Sequence, residues 1–312
     1  MQTDRPLIIA IHGCTGVGKT DFSIKLALQF NGEVVNADSR YLYRDLQIGV
    51  AKPTPEQREM VRHHLVDVLD PRERAYIPLI QQMAYAAFVE ISGRAAVPIL
   101  VGGTPLYMNA ITEGWTVPQV EPDPEFRAHL EERALNEGIE VLIAELQAVD
   151  PVAATRSGNN LRRIVRALEI HDATGRPMSE IESREEPPYR FLHIGLRRDR
   201  DRLRVALAER VDRQIEEGLV AEVQGLLDSC LTGDEPAFSA IGYRQLLPYL
   251  RGEADLPSAV AQIKIDTNRY VRHQSTWLRR RTDIVWFDTE DEGWDERALA
   301  VAGDYLAGIE SS

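Results

Sequence analysis

Residues Gly13 to Thr20, GCTGVGKT, have the composition and spacing of a phosphate-binding loop. Gly13, Gly18, Lys19 and Thr20 stand at the fixed positions of the pattern G-x-x-x-x-G-K-S/T, after an apolar stretch that predicts a strand. Glycines let backbone amides converge on phosphate oxygens, Lys19 adds a positive charge, and the Thr20 hydroxyl is suited to hold Mg2+. The motif therefore predicts a substrate that carries phosphate.

A carboxylate that could act beside this loop follows a different predicted strand. In nucleotide hydrolases and kinases a carboxylate at the end of a second apolar strand holds the magnesium, but here VPILV at 97–101 runs into Gly102, Gly103 and Thr104. Asp38 instead comes shortly after residues 33–36. Because strand ends of a doubly wound sheet open onto the ligand crevice, we expect Asp38 to face the loop. The alternative is an aspartate that only forms a turn or caps a helix.

The elements that must position these residues alternate between strands and helices. Strands are predicted at 7–11, 33–36, 64–68 and 97–101, and helices from the glycine loop to Phe30 and at 76–92. The pattern returns with strands at 191–196 and 284–287 and helices at 201–227 and 255–281. Such alternation indicates an α/β fold, here a P-loop NTPase-like parallel sheet flanked by helices.

A stretch rich in proline and acidic residues at 117–126 interrupts this alternation. From Glu125 to about Arg184 the periodicity is helical, with no strand signal. We therefore predict a catalytic core made of residues 1–118 and 188–312, with an all-helical lobe inserted at 119–187.

Composition limits the classes of protein that the chain could be. Its 312 residues, 44% of them hydrophobic, can bury one large core and a smaller one. No apolar run approaches the roughly 20 residues that span a bilayer, and Cys14 and Cys230 lack the number and spacing of a disulfide framework or metal site. We expect a cytoplasmic protein.

Charge is distributed unevenly along the chain. The net charge is −13, which argues against a polyanionic partner, yet 156–176, 190–213 and 262–281 are locally basic. These islands are either solvated helix faces or surfaces for a nucleic acid.

Separated blocks of the sequence resemble the tRNA dimethylallyltransferases, also called tRNA isopentenyltransferases, of the bacterial type. Besides the loop, the blocks are NADSRYLYRDLQIGVAKP, HHLVD, VGGTPLY, DPVAAT with RRIVRALEIHDATGRPMSE, RVDRQIEEGLVAEV, AIGYRQL and TNRYVRHQSTWLR, in the family's order. Such enzymes transfer a five-carbon group from dimethylallyl pyrophosphate to the exocyclic amine of the adenosine 3′ of certain anticodons. The resemblance implies these two substrates, Mg2+ and a monomer.

The resemblance gives the candidate catalytic residues roles in this transfer. An adenine amine is a poor nucleophile, so a base must remove its proton, and an ionised carboxylate at Asp38 can do so. Thr15 and Arg210 would help to stabilise the departing pyrophosphate. The expected pyrophosphate-binding residues are Gly13, Cys14, Thr15, Gly16, Val17, Gly18, Lys19, Thr20 and Arg210. Without the resemblance, an ordinary surface arginine is the better interpretation of Arg210, although Leu203, Leu207 and Gln214 place it on or beside an inward helical stripe.

The resemblance also implies a set of tRNA contacts. They are Asp38, Ser39, Arg40, Tyr41, Thr104, Arg127, Arg162, Arg163, Arg166, Gly242, Tyr243, Arg244, Arg272, Gln274, Trp277 and Arg279. Periodicity supports the lobe contacts independently, because Leu161, Ile164, Val165 and Leu168 form a buried stripe that leaves the three arginines of that helix towards its exposed side. Tyr243 and Trp277 could stack on bases or serve only as packing residues. Val50, Asn268 and His273 depart from the family's pattern.

Three other functions are compatible with part of this sequence. An isopentenyltransferase that acts on free adenine nucleotides would share the loop and the aspartate, but needs no helical lobe. A P-loop small-molecule kinase or NTPase would turn over a triphosphate. A non-catalytic RNA-binding protein would leave its tRNA unchanged.

Overall fold

The computed structural model describes residues 5–118 and 120–308, which form two compact units. The first comprises Met1–Thr112 and Pro187–Ser312, and the second Glu113–Glu186. The predicted lobe began at Gln119, which lies outside the described residues. The second unit begins earlier because Trp115 and Thr116 pair with Arg184 and Ser183 in an antiparallel ladder.

The strands and helices follow the chain in this order. The strands are β1 (Leu7–Gly13), β2 (Gly32–Asn36), β3 (His63–His64), β4 (Val97–Val101), β5 (Trp115–Thr116), β6 (Ser183–Arg184), β7 (Arg190–Arg197) and β8 (Ile284–Asp288). The helices are α1 (Lys19–Phe30), α2 (Pro55–Met60), α3 (Ile77–Gly93), α4 (Pro105–Thr112), α5 (Pro124–Glu137), α6 (Ile139–Val149), α7 (Pro151–Ser157), α8 (Leu161–Thr174), α9 (Met178–Ile181), α10 (Arg200–Glu216), α11 (Leu219–Asp228), α12 (Tyr243–Leu250), α13 (Leu256–Leu278) and α14 (Trp294–Leu306), with a 3-10 turn at Pro236–Ser239.

The first unit is built on a six-stranded sheet with the order β3-β2-β4-β1-β7-β8. All neighbouring strands in it are parallel. Alternate residues of β1 enter different cores: Ile8 and Ala10 pack with one hydrophobic cluster, and Ile9 and Ile11 with another. Since side chains alternate across a strand, both faces of the sheet are covered. The predicted α/β fold class is confirmed.

Three predicted elements differ in extent, two of them because of backbone conformation. The strand expected at 64–68 ends at His64, because Leu65 and Asp67 have φ of 61° and 58° and leave the extended region. The helix expected at 201–227 is two helices, since Gly218 between them has φ of 104°. Helix α13 stops at Leu278, short of the expected Arg281.

The second unit contains helices α5 to α9 around its own apolar cluster, which includes Leu130, Leu142, Leu146 and Ile164. The expectation of a lobe without strands is wrong at β6, because a ladder of two residues per strand leaves no periodicity that a sequence pattern could reveal. Within the described residues, no helix combines the length and apolar character needed to cross a membrane.

Candidate active site

The phosphate-binding loop connects the end of β1 to the start of α1. Gly18 precedes α1 with φ of 90°, which favours glycine, and a Cβ at Gly16 would lie 2.8 Å from Leu207 Cδ2. The Lys19 ammonium donates to the carbonyl oxygens of Gly13 at 2.9 Å and Cys14 at 2.8 Å. The local structure matches the cradle that the motif predicts.

Burial lowers the pKa of Lys19 to about 8, against the opposing attraction of the Asp38 carboxylate. An anion bound in the loop would favour the charged form of this lysine. The loop is thus suited to a ligand whose phosphate charge replaces the solvation that Lys19 has lost.

The Asp38 carboxylate is held by its neighbours after β2. Its Oδ1 accepts the Arg40 N–H at 3.0 Å, and its own N–H donates to the Asn36 side chain at 2.7 Å. Buried Asn36 also donates to the carbonyl oxygen of Asp38 at 3.0 Å and to that of Leu65 at 2.9 Å. Asn36 is a positioning residue that the sequence analysis missed, although its place at the strand end beside Asp38 was visible.

Gly103 occupies the position where a strand-end carboxylate was first sought. A Cβ built there would lie 2.9 Å from Asp38 Oδ2 and 3.1 Å from Gln274 Nε2. A residue larger than glycine would therefore crowd the Asp38 carboxylate. We infer that Asp38 takes the place of the carboxylate that is missing from the end of β4. The Thr104 hydroxyl, next along the chain, accepts the Ser39 N–H at 3.0 Å and ties this turn to the Asp38 segment.

The loop and Asp38 share one cavity of about 800 Å³, within the roughly 300–1,000 Å³ typical of small-molecule sites. Its lining includes the predicted catalytic and pyrophosphate-binding side chains Thr15, Lys19, Thr20, Asp38 and Arg210. The expectation that Asp38 faces the loop is confirmed. Its role as a base stays a prediction.

Arg210 reaches this cavity from α10. Leu203, Leu207 and Gln214 are buried on the same stripe, so the predicted inward position is confirmed. The guanidinium has a long contact of 3.5 Å to the carbonyl oxygen of Val50, which leaves its other N–H groups available to an anion.

Gln274, expected to contact tRNA, is fully buried. Its Oε1 accepts the Thr15 N–H at 3.0 Å, and its Nε2 donates to the carbonyl oxygen of Gly103 at 2.5 Å. The side chain therefore joins the loop to the turn after β4 and cannot reach an external ligand. Its spacing from buried Ile263 and Val271 could have placed it on the inward face of α13.

Tyr243 requires a similar correction. Its ring is fully buried and its hydroxyl donates to Glu222, so it cannot stack on a base. Gly242 is buried too, whereas Arg244 is exposed. Trp277 is half-buried.

The other predicted tRNA contacts of the first unit keep some exposure. Arg272 on α13 and Arg279 directly after its end are exposed. Arg40 donates to the Ser239 hydroxyl at 2.9 Å, and the half-buried Tyr41 hydroxyl donates to the carbonyl oxygen of Ala51 at 2.7 Å.

In the second unit, the arginines predicted to contact tRNA fall into two groups. Arg162 and Arg163 are exposed on α8. Arg127 and Arg166 instead pair with Glu169 at 2.7 and 2.5 Å, and the Glu169 side chain is only 2% exposed. Burial alone would raise the pKa of Glu169, but hydrogen bonds from both guanidinium groups outweigh it and lower the pKa. The periodicity predicts that Arg166 is a freely exposed cation. This prediction is wrong, because Arg166 is paired with Glu169.

Oxygen donors suited to a divalent cation are found at the mouth of the loop. The Thr20 hydroxyl lines the cavity, and Mg2+ is usually bound through one or two protein oxygens together with substrate phosphates and waters. The residues present fit such an ion. Among the described residues, no group of three or more His, Cys, Asp or Glu side chains could hold a metal by itself.

Two known protein families match this chain. A family described as "IPP transferase" matches residues 41–281, and one described as "Isopentenyl transferase" matches residues 6–69. A protein named tRNA dimethylallyltransferase from Thermomicrobium roseum is 52% identical over 294 residues, covering 94% of this chain and 89% of its own. Another of that name, from Herpetosiphon aurantiacus, is 44% identical and covers 92% of both chains.

Solved structures extend the similarity to the fold. The tRNA isopentenylpyrophosphate transferase of Bacillus halodurans is 36% identical, with a TM-score of 0.71 over 98% of this chain and 97% of its own. A eukaryotic dimethylallyltransferase, described as acting on tRNA, is 27% identical, with a TM-score of 0.81 over 98% of this chain and 80% of its own.

Proposed function

The chain belongs to the tRNA dimethylallyltransferase family, and from this premise we propose the reaction and the roles of its residues. The enzyme transfers a dimethylallyl group from dimethylallyl pyrophosphate to the exocyclic amine of an adenosine in tRNA and releases pyrophosphate. The adenosine lies 3′ of the anticodon in tRNAs that read codons beginning with U. The observation that carries the proposal is the single cavity that holds both the phosphate-binding loop and the Asp38 carboxylate.

The chemistry assigns one role to each end of this cavity. The adenine nitrogen attacks the first carbon of the dimethylallyl group, while the bond from that carbon to the pyrophosphate oxygen breaks. Asp38 takes the proton that the amine loses. Lys19, Arg210, the Thr15 hydroxyl and the loop amides stabilise the charge that gathers on the leaving pyrophosphate.

Magnesium fits the same half of the site. Thr20 would hold the ion together with pyrophosphate oxygens, and bound Mg2+ would supply further positive charge to the leaving group. The protein groups at Lys19 and Arg210 act on the same oxygens. The loop thus serves a leaving group, in place of the nucleoside triphosphate that the motif usually binds.

Each unit of the chain carries exposed cations suited to an RNA backbone. We assign to the tRNA the exposed cations Arg162 and Arg163 of the second unit and Arg244, Arg272 and Arg279 of the first. Bases of a folded RNA must usually leave their stack before chemistry, which requires such anchoring of the backbone. The enzyme is assigned to the cytoplasm, as a monomer.

Incubation of the purified chain with dimethylallyl pyrophosphate, Mg2+ and unmodified tRNA tests the proposal. Mass analysis of the digested nucleosides should find isopentenyl-adenosine at the adenosine 3′ of the anticodon, and none when that adenosine is replaced by guanosine. Parallel reactions with AMP as acceptor, and with ATP in place of the donor, test the two alternative enzymes. Modification of AMP without tRNA, or phosphate release from ATP alone, would contradict the proposal.

A further inference from the structure

One wall of the donor cavity is a tight turn that the catalytic assignments leave unexplained. We call residues 47–51 the cavity turn. The Ala51 N–H donates to the carbonyl oxygen of Ile48 at 3.0 Å, and the Lys52 N–H to that of Gln47 at 3.2 Å. Residues 47, 48, 50 and 51 line the same cavity as the phosphate-binding loop. The shape of this wall therefore depends on whatever fixes the turn.

A single carboxylate collects the backbone N–H groups of the turn. Glu222, on α11, accepts from Gln47 at 3.2 Å, from Ile48 at 2.9 Å and from Gly49 at 3.4 Å. Three consecutive amides that converge on one anion form a nest, which binds a negative charge well. Here the anion is a side chain of the protein itself.

The carbonyl groups of the turn are contacted by two side chains of α10. Gln214 donates to the carbonyl oxygens of Ile48 at 2.5 Å and Gly49 at 3.1 Å. Arg210 lies 3.5 Å from the carbonyl oxygen of Val50. The turn is thus held on one side by Glu222 and on the other contacts the cation assigned to the pyrophosphate.

Close packing behind the turn supports the carboxylate. The buried hydroxyl of Tyr243 donates to Glu222. A Cβ on Gly49 would lie only 2.4 Å from Tyr243 Cε2, so the ring and the turn are in direct contact.

We propose that Glu222 is a positioning residue for the pyrophosphate donor, which acts through the cavity turn on Arg210. By fixing three amides of the turn it sets where the Val50 carbonyl lies, and with it the resting place of the Arg210 guanidinium beside the donor. The proposal rests on the proposed function, because the donor is the ligand that Arg210 meets. Glu222 itself does not touch the substrate.

The chemistry of the nest makes one substitution especially informative. An ionised carboxylate only accepts hydrogen bonds, whereas a glutamine of the same shape carries an NH2 group that only donates. In Glu222→Gln, that group would face the N–H groups of the turn or the Tyr243 hydroxyl. The variant keeps the side-chain volume and removes the charge and one acceptor, so the turn should shift without an empty space.

A double-mutant cycle between Glu222→Gln and Arg210→Ala tests whether the two act together. Glu222→Gln should lower kcat/KM for dimethylallyl pyrophosphate about 10-fold, with the KM for tRNA unchanged within about 2-fold. In the Arg210→Ala background the same substitution should cost less than about 3-fold, because the group it positions is already gone. An equal loss in both backgrounds, or an equal rise in the KM of both substrates, would overturn the proposal.

Asp228→Asn is the matched control, since it removes an exposed carboxylate from the same helix and should leave both constants unchanged. If Glu222→Gln does not fold, Tyr243→Phe decides the question, because it keeps the ring against Gly49 and deletes one donor to Glu222. A donor-specific loss of about 3-fold that disappears in the Arg210→Ala background supports the proposal, and no loss overturns it. If the wild-type chain transfers nothing, the proposed function fails. In that case, calorimetry measures the affinity for pyrophosphate of the wild type, Glu222→Gln, Arg210→Ala and the double variant.

Discussion

Gln274 accepts the backbone N–H of Thr15 at 3.0 Å from within the core, although it lies on the helix expected to bind tRNA. Its amide also donates to Gly103, beside Asp38. The inner face of α13 therefore organises the catalytic cavity, while Arg272 is exposed on the same helix and Arg279 is exposed directly after it. The two faces of one helix should have separable effects on catalysis and on RNA binding.

Gln274→Leu should impair use of the donor and spare the binding of tRNA. The leucine has a similar volume but removes the acceptor of the Thr15 N–H and one donor to the Gly103 carbonyl, which keeps the Tyr270 hydroxyl at 3.1 Å. The kcat/KM for dimethylallyl pyrophosphate should therefore fall about 10- to 100-fold. The dissociation constant for tRNA should change less than about 2-fold. Arg272→Gln should show the reverse pattern. Loss of tRNA affinity in Gln274→Leu would show that Gln274 belongs to the RNA interface.

Asp38→Asn tests the assigned base. The amide cannot accept the proton of the adenine amine, so kcat should fall about 10²- to 10⁴-fold, with donor and tRNA binding retained. Single-turnover transfer followed by nucleoside analysis measures the step directly. Asp45→Asn is a suitable control, because Asp45 is exposed and asparagine tolerates its φ of 66°. Unchanged turnover in Asp38→Asn would remove Asp38 as the base.

Local spacing was enough to predict the parts of the site that lie close together in sequence. The loop from Gly13 to Thr20 has a fixed pattern, and Asp38 follows a strand whose neighbour in the sheet carries the turn at Gly103. Arg210 was placed correctly by its spacing from buried leucines. In each case the helical periodicity or the end of one strand determines where the side chain lies. The prediction does not depend on a contact with a residue distant in sequence.

The direction of side chains on the RNA-binding elements could not be taken from the resemblance. Family blocks identify a helix or turn that meets tRNA, but Gln274 and Tyr243 on those elements point into the core. Arg166 was assigned to the surface although Glu169, three residues further along the same helix, stands at the spacing of an ion pair. Contacts between distant segments, such as Glu222 with the cavity turn, leave no pattern in a single sequence.

The arginines of α8 should separate into an RNA-binding class and a structural class. Arg162→Glu with Arg163→Glu should weaken tRNA binding and make its dependence on salt shallower, because exposed cations release counterions from the RNA. Thermal stability should not change. Filter binding between 50 and 300 mM salt, roughly the range over which such contacts are screened, measures both effects. An unaltered salt slope would exclude these two residues from the interface.

Arg166→Gln should instead destabilise the second unit. The substitution removes one of the two guanidinium groups that pair with the buried Glu169 carboxylate. A partly unpaired buried charge costs about 1–3 kcal/mol, which chemical denaturation would detect. Its effect on the salt slope of tRNA binding should be smaller than that of the Arg162 and Arg163 pair. The opposite ranking would make Arg166 an RNA contact.

A buried pair of histidines behind the phosphate-binding loop predicts how the stability of the core depends on pH. His12 Nε2 and His193 Nδ1 lie 2.8 Å apart, and Arg281 contacts His193 Nε2 at 3.1 Å. Burial and the Arg281 charge lower the pKa of His193 to about 4, partly opposed by Asp283. Burial, His193 and Arg281 likewise lower the pKa of His12 well below its usual value. Both rings are therefore neutral in the folded state near neutral pH.

Acid should destabilise the protein through these two rings before its carboxylates titrate. Below about pH 6.5 the unfolded chain binds protons at both histidines while the folded chain does not, so stability falls as the pH decreases. Between pH 7 and pH 5 the loss should be about 2 kcal/mol for each histidine, measured by urea unfolding at both values. His193→Asn should remove about 2 kcal/mol of this pH dependence, whatever its effect on stability at pH 7. His129→Asn, which removes an exposed histidine, should leave the dependence intact. Identical pH dependence in the wild type and His193→Asn would show that the buried pair does not stay neutral in the folded state.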